Sequence, residues 1–249
     1  MADRSKVLLV TGGSRGIGAE IVRLAWDTGY HVAFAFSSDE LAARRMVEEA
    51  RARGAVGFGI RCDVADPLAV SDLFDRVERA LGPVDALVNN AGVTGPIGGF
   101  ATASAETLRH VVGVNLLGTM FCAQAIVRCW GKRNAAGRIV NISSLAATLG
   151  AANEYVHYAA SKAAVEAFTI GLARELAPQG IRVNAVAPGT IPTGIHAAAG
   201  DPHKPTRAAC NIPLRRAGEP AEIAEAVMWL LSDKASYVTG AVLRVSGGL

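Results

Sequence analysis

The sequence predicts one α/β domain, residues 1–249, built on a doubly wound parallel sheet with helices on both faces. Three observations predict it. Strand-like runs alternate with helix-length periodic stretches along the whole chain, the signature of repeated strand–helix–strand units wound right-handed. The strands read as short apolar runs, as in a sheet buried on both sides. Glycines or polar residues recur where the strands end, and a doubly wound sheet binds its ligand beyond those ends.

In chain order, the first strand is Lys6–Val10, followed by the turn Thr11-Gly12-Gly13-Ser14-Arg15-Gly16-Ile17-Gly18 and a helix over Ala19–Asp27 that stops at Gly29. Strand, glycine turn and helix together present backbone N–H groups and a helix N-terminus to a phosphate, although the spacing departs from GxGxxG. His31–Phe36 is the second strand; Ser37 and Glu40 have capping-box spacing before a helix to about Arg53. Val56–Arg61 is the third strand, ended by Cys62-Asp63-Val64, and Pro67–Leu81 an amphipathic helix opened by Asp66. Ala86–Val88 leads into Asn89-Asn90-Ala91-Gly92, and one long helix covers roughly Ala103–Trp130. Arg138–Ser143 is the fifth strand, Tyr155–Leu176 a helix, and Ile181–Val186 the sixth strand, ending at Pro188-Gly189. Residues 190–214 show no clear period and read as a substrate lid. Glu219–Leu231 is the last helix and Ala241–Val245 the last strand.

Composition excludes several classes. Apolar residues make up 51% and charged residues 19%, a globular balance. The 25 basic and 22 acidic residues form no run, so neither nucleic acid nor a membrane surface is an expected partner. Met1–Lys6 is polar and Val7–Val10 too short for a signal peptide or a membrane span, and the expected location, read from the cysteine usage that follows, is the cytoplasm. Cys62, Cys122, Cys129 and Cys210 show no ligand-like spacing and read as reduced core thiols, with no metal site.

Chemistry concentrates in Tyr158-Ala159-Ala160-Ser161-Lys162. A Tyr and a Lys four apart share one side of a helical turn. A free phenol titrates near pH ~10, and an ammonium within a few Å lowers that value. A phenol tuned in this way exchanges a proton with a carbonyl or alcohol oxygen near neutral pH. His157, His196 and His203 have no partner pattern and read as surface or lid residues; Lys204 and Arg207 read as facing water.

Together, Thr11–Gly18, Asn89-Asn90-Ala91-Gly92, Asn115, Ile142-Ser143-Ser144, Tyr158–Lys162, Pro188-Gly189 and Tyr237-Val238-Thr239-Gly240 resemble the short-chain dehydrogenase/reductase family over essentially the whole chain. The resemblance implies hydride transfer between a nicotinamide cofactor and a small-molecule carbonyl or alcohol. It implies Tyr158 as general acid/base, Lys162 lowering its pKa and holding the nicotinamide ribose, and Ser144 hydrogen-bonding the substrate oxygen. Asn115 would hold its helix open to a water that connects Lys162 to solvent. For the cofactor, it implies that Gly12, Ser14, Gly16, Ile17 and Gly18 admit the pyrophosphate and that Asp63, with Val64, binds the adenine. Asn89, Ala91 and Gly92 would line the adenosine side, and Pro188, Gly189, Ile191 and Thr193 the nicotinamide end. The closest-looking groups are 3-oxoacyl-thioester reductases and glucose-dehydrogenase-like enzymes.

An NAD enzyme of this architecture offers a carboxylate about 20 residues past the glycine turn. Here the second strand ends in Phe36-Ser37-Ser38, and Asp39 and Glu40 come too late. With Arg15 as a phosphate-binding cation, Ser37 and Ser38 as donors, and Arg44 or Arg45 within reach, the expected cofactor is NADP(H). The apolar helix around Asn115 predicts a subunit face, in the family commonly that of a homotetramer. The competing reading, a nucleotide-binding sensor or scaffold that has lost catalysis, predicts decay among Asn115, Ser144, Tyr158 and Lys162, and all four are intact.

Overall fold

The computed structural model describes residues 5–249; the polar start Met1–Arg4 lies outside the described residues. Seven parallel strands form one sheet in the order β3-β2-β1-β4-β5-β6-β7. They are β1 (Val7–Thr11), β2 (His31–Phe36), β3 (Gly57–Arg61), β4 (Ala86–Asn89), β5 (Arg138–Ile142), β6 (Arg182–Pro188) and β7 (Val242–Val245). From β1 the chain runs outward to β3, then returns to β4 on the other side of β1. That reversal opens a crevice between the carboxyl ends of β1 and β4, the ligand position of a Rossmann-type sheet.

Period-two alternation divides the core. Leu8, Val10, Val32, Phe34, Val88 and Val140 point to one face, where α1 (Gly16–Asp27), α2 (Glu40–Ala52) and the last helix cover them. Val7, Leu9, Ala33, Leu87, Ile139 and Val183 point to the other. There α3 (Pro67–Leu81) packs with two later helices that supply Ile126 and Leu176.

Several boundaries differ from the sequence reading. Asp39, not Ser37, caps α2, its carboxylate accepting from Ala42 N at 3.0 Å. The long helix expected over Ala103–Trp130 is present and runs unbroken over residues 105–133, but it is not α-helical throughout. Ser104 caps α4 (Ala105–Val112), the π-helical turn Gly113–Leu117 follows, and α5 (Gly118–Arg133) ends where Asn134 turns left-handed. A four-residue helix, α6 (Ala146–Leu149), precedes α7 (Val156–Leu176). The segment 190–214 is not irregular throughout: it holds α8 (Gly194–Ala198), α9 (Lys204–Ala208) and a 3-10 turn Ala209–Asn211. A capping box sits at Glu219 and Glu222, opening α10 (Pro220–Leu231). Of the four cysteines only Cys62 and Cys122 are core thiols; Cys129 is half-buried and Cys210 exposed.

The helix over residues 105–133 is long enough to cross a membrane and holds an 18-residue stretch apolar enough to do so, with mean hydropathy 1.6. Here their apolarity serves the core, where Cys122, Ile126 and Trp130 are buried against the sheet.

Candidate active site

The site begins where β1 and β4 end side by side. Thr11 Oγ1 accepts the amide N–H groups of Asn90 and Ala91, each at 3.0 Å. Asn90 Nδ2 donates to the carbonyls of Thr11 and Gly12, also at 3.0 Å. The glycine turn is thereby stitched to the next strand. Gly12 lies at φ +64°, in the left-handed region. Gly18 is needed for close approach: a side chain there would start 2.5 Å from Asn90 Nδ2 and closer still to the Gly12 carbonyl. Gly18 therefore supports the turn from behind and does not line the cleft.

Asn89 is also absent from the cleft wall. It is the last residue of β4, and strand alternation points it inward, where Nδ2 donates to Asn141 Oδ1 at 2.9 Å. Its neighbour Asn90 takes the cleft position, a residue that sequence reasoning passed over.

A cleft of about 880 Å³ runs along these strand ends. Gly12, Ser14, Arg15, Gly16 and Ile17 line it from the turn, Ser37 and Ser38 from the end of β2, and Asp63 and Val64 from the end of β3. Ala91 and Gly92 follow β4, Ser144 follows β5, Tyr158 and Lys162 come from α7, and Pro188, Gly189, Ile191 and Thr193 follow β6. Asp63 also shapes its own turn, Oδ1 accepting from Ala65 N at 3.0 Å. Arg44 and Arg45 stay outside; Arg44 is paired with Glu40 at 2.6 Å along α2. Arg61 and Asp39 line the cleft in their place.

At the other end the α7 side chains converge. Tyr158 is 8% and Lys162 4% exposed. Lys162 Nζ donates to the Ile142 carbonyl at 2.7 Å and lies 5.9 Å from the centre of the Tyr158 ring. Burial pushes the Tyr158 phenol up to about 12, a hydrogen bond with Ser144 pulls the other way, and Tyr155 adds to the rise. Burial likewise brings the Lys162 ammonium down to about 8. The Tyr158 phenol thus lies above its ordinary value and the Lys162 ammonium below its own, because desolvation disfavours the charged form of both groups.

The adjacent serines divide their roles. Ser143 is buried and donates to Glu166 Oε1 at 2.8 Å, tying β5 to α7, whereas half-buried Ser144 meets Tyr158. Asn115, 0% exposed, sits in the π-helical turn rather than the cleft wall. Its Oδ1 accepts from Val93 N at 2.8 Å, and its Nδ2 donates to Val93 O at 2.9 Å and Ser161 Oγ at 3.0 Å. Ser161 in turn donates to the Tyr158 carbonyl at 2.7 Å, so Asn115 braces α7 against the segment that follows β4.

The three histidines part company. His203 is exposed and His196 lines the cleft from α8, its Nε2 paired with the Ile191 carbonyl at 2.9 Å. His157 is no surface residue: it is buried, with Nε2 against the Thr94 carbonyl at 2.9 Å. Lys204 does not simply face water either. It pairs with Glu154 and Tyr155 Oη at the cleft, while Arg207 pairs with Asp201. Tyr155 stands edge-on to Tyr158, ring centres 5.4 Å apart. Among the described residues no three His, Cys, Asp or Glu side chains gather into a metal-binding group.

A family model described as Enoyl-(Acyl carrier protein) reductase matches residues 12–249. The chain belongs to the short-chain dehydrogenase/reductase family. Within that family it is 41% identical over 244 residues to the uncharacterized oxidoreductase YgfF of Escherichia coli (strain K12), covering 97% of this chain and 99% of that protein. It is 38% identical over 245 residues to the 3-oxoacyl-[acyl-carrier-protein] reductase FabG of Staphylococcus epidermidis (strain ATCC 12228 / FDA PCI 1200), covering 98% and 99%. A blue fluorescent protein from a metagenomic library, crystallised in complex with NADPH, superposes with a TM-score of 0.88 at 36% identity, covering 98% of both chains.

Proposed function

We propose that the chain is an NADP(H)-dependent oxidoreductase moving hydride between the nicotinamide and a small-molecule carbonyl or alcohol. The observation that carries this reading is the meeting of Ser144, Tyr158 and Lys162 in one cleft with the glycine turn. The residues fit a dinucleotide. Gly12 and Gly16 keep side chains away from the N-terminus of α1, a ready anion site, and Arg15 is exposed beside it.

Asp63 and Val64 hold the adenine, and Ala91 and Gly92 the adenosine side. Pro188, Gly189, Ile191 and Thr193 hold the nicotinamide end, and Arg15, Ser37 and Ser38 the 2′-phosphate. When bound, the nicotinamide supplies or accepts the hydride. In reduction Tyr158 gives its phenolic proton to the substrate oxygen, and Ser144 donates a hydrogen bond to the same oxygen as negative charge develops. The burial that keeps Tyr158 protonated holds this donor loaded at neutral pH. Lys162 holds the nicotinamide ribose and favours the phenolate when the reaction runs toward oxidation.

The segment 190–214 acts as the substrate lid, and the enzyme works in the cytoplasm as a homotetramer. The name of the FabG relative makes 3-oxoacyl thioesters the first substrates to try. The test is NADPH consumption by the purified protein with 3-oxoacyl thioesters, aldoses, steroids and quinones. Tyr158→Phe keeps the ring and removes the proton, so turnover falls by about 10²–10⁴-fold while NADPH binding survives. Comparable turnover by the variant refutes the assignment of Tyr158.

A further inference from the structure

We infer that Arg61 is a second cationic arm for the cofactor's 2′-phosphate and, with Arg15, sets the choice of NADP(H) over NAD(H). The inference rests on the cofactor reading above. β3 is the outermost strand on its side of the sheet and Arg61 is its last residue, in register with Phe36 at the end of β2. Ile60 points into the core on the α3 side. Alternation therefore sends Arg61 to the α1/α2 side, as it does Gly59, which lies against Phe34 and Val47.

From there the guanidinium folds over the end of β2, its Nε donating to the Ser37 carbonyl at 3.1 Å. Among the described residues no hydrogen-bond acceptor takes its two terminal nitrogens. Arg61 is exposed and lines the cleft with Arg15, Ser37 and Ser38. A planar fork of N–H donors held by one nitrogen, with the other two free, matches a phosphate, and the anchoring reduces what binding must immobilise.

The charges at this end make a second cation matter. Asp39 lines the same end of the cleft, where a carboxylate suits an unphosphorylated ribose and opposes a phosphate. Its Oδ1 is taken by Ala42 N at 3.0 Å. Arg44 is paired with Glu40 and outside the cleft, so it does not balance Asp39. Arg15 and Arg61 together outweigh Asp39, while the other carboxylate at these strand ends, Asp63, accepts from Ala65 N in its own turn.

The experiment is equilibrium binding of NADPH and of NADH, read by cofactor fluorescence, to wild type, Arg61→Ala, Arg61→Lys and Arg15→Ala. Wild type is expected to bind NADPH about tenfold or more tightly than NADH. Arg61→Ala should weaken NADPH about tenfold while NADH stays within about twofold, and Arg61→Lys should recover part of the loss by keeping the charge without the fork. Because the residue is exposed, the melting temperature should not move. An unchanged NADPH affinity, or equal weakening of both cofactors, overturns the assignment and leaves Arg61 as a brace on Ser37. Equal affinities in wild type overturn the NADP(H) reading itself.

Discussion

At the scale of single residues, Tyr158 and Lys162 are held where burial disfavours their charged forms. Lys162 is the clearest case, 4% exposed and lowered to about 8 by burial. Its folded pKa lies below its unfolded one, so the unfolded chain binds more protons between those values. Its contribution to stability therefore grows as pH rises from about 8 toward the ordinary lysine range. Activity should run the other way. If Lys162 holds the ribose as proposed, its ammonium discharges as pH rises, so kcat/KM for NADPH, which reports the free enzyme, should fall through about pH 8. A profile that stays level across that pH would show that the charge on Lys162 is not required.

At the scale of elements, two joints carry the site. One is the turn between β1 and α1, closed by Asn90 across Gly12 and by the absence of a side chain at Gly18. Gly18→Ala would force backbone apart, with an expected loss of about 1–3 kcal/mol and weakened cofactor binding. Gly131, in α5, has open space around it, so Gly131→Ala should stabilise by up to about 0.5–1 kcal/mol through helix propensity. Thermal unfolding of the two variants distinguishes close packing from a general intolerance of alanine. The other joint is the π-helical turn at Gly113–Leu117, where Asn115 takes both polar groups of Val93 and reaches Ser161 on α7. Turns of this kind are rare and cluster at functional sites.

At the scale of the whole molecule, apolar surface remains uncovered beside that joint. Val112 is 38%, Leu117 41% and Ile170 37% exposed, the first just before the π-helical turn, the second its last residue and the third on α7. Exposed apolar side chains on the helices that hold Asn115, Tyr158 and Lys162 fit burial by further copies of the chain. Sedimentation at micromolar concentration should give a species near four times the 25.8 kDa chain mass. Ile170→Glu should shift it to smaller assemblies. A wild-type monomer would remove the tetramer from the reading.

The sequence by itself determined the winding of the sheet and the order of the strand ends. Both follow from local signals: the two-residue period of strands, the periodic faces of helices, and glycines where the backbone must turn or pass closely. It also brought Tyr158 and Lys162 to one face, because four residues along a helix is a local distance. Tertiary structure alone decided which of two adjacent residues faces the cleft. Asn89 and Asn90 differ by one step of strand parity, and that parity is set by where β4 pairs with β1 and β5. It decided that Asn115 sits in a π-helical turn, since the partner that secures the turn is Val93, far away in sequence. It brought Lys204 to Glu154 and Tyr155 by folding 190–214 back onto the start of α7. It placed Arg61 beside Ser37 because β3 pairs with β2. Each of these depends on a contact between segments whose meeting no local periodicity encodes, and each sets a charge or a hydrogen bond at the site.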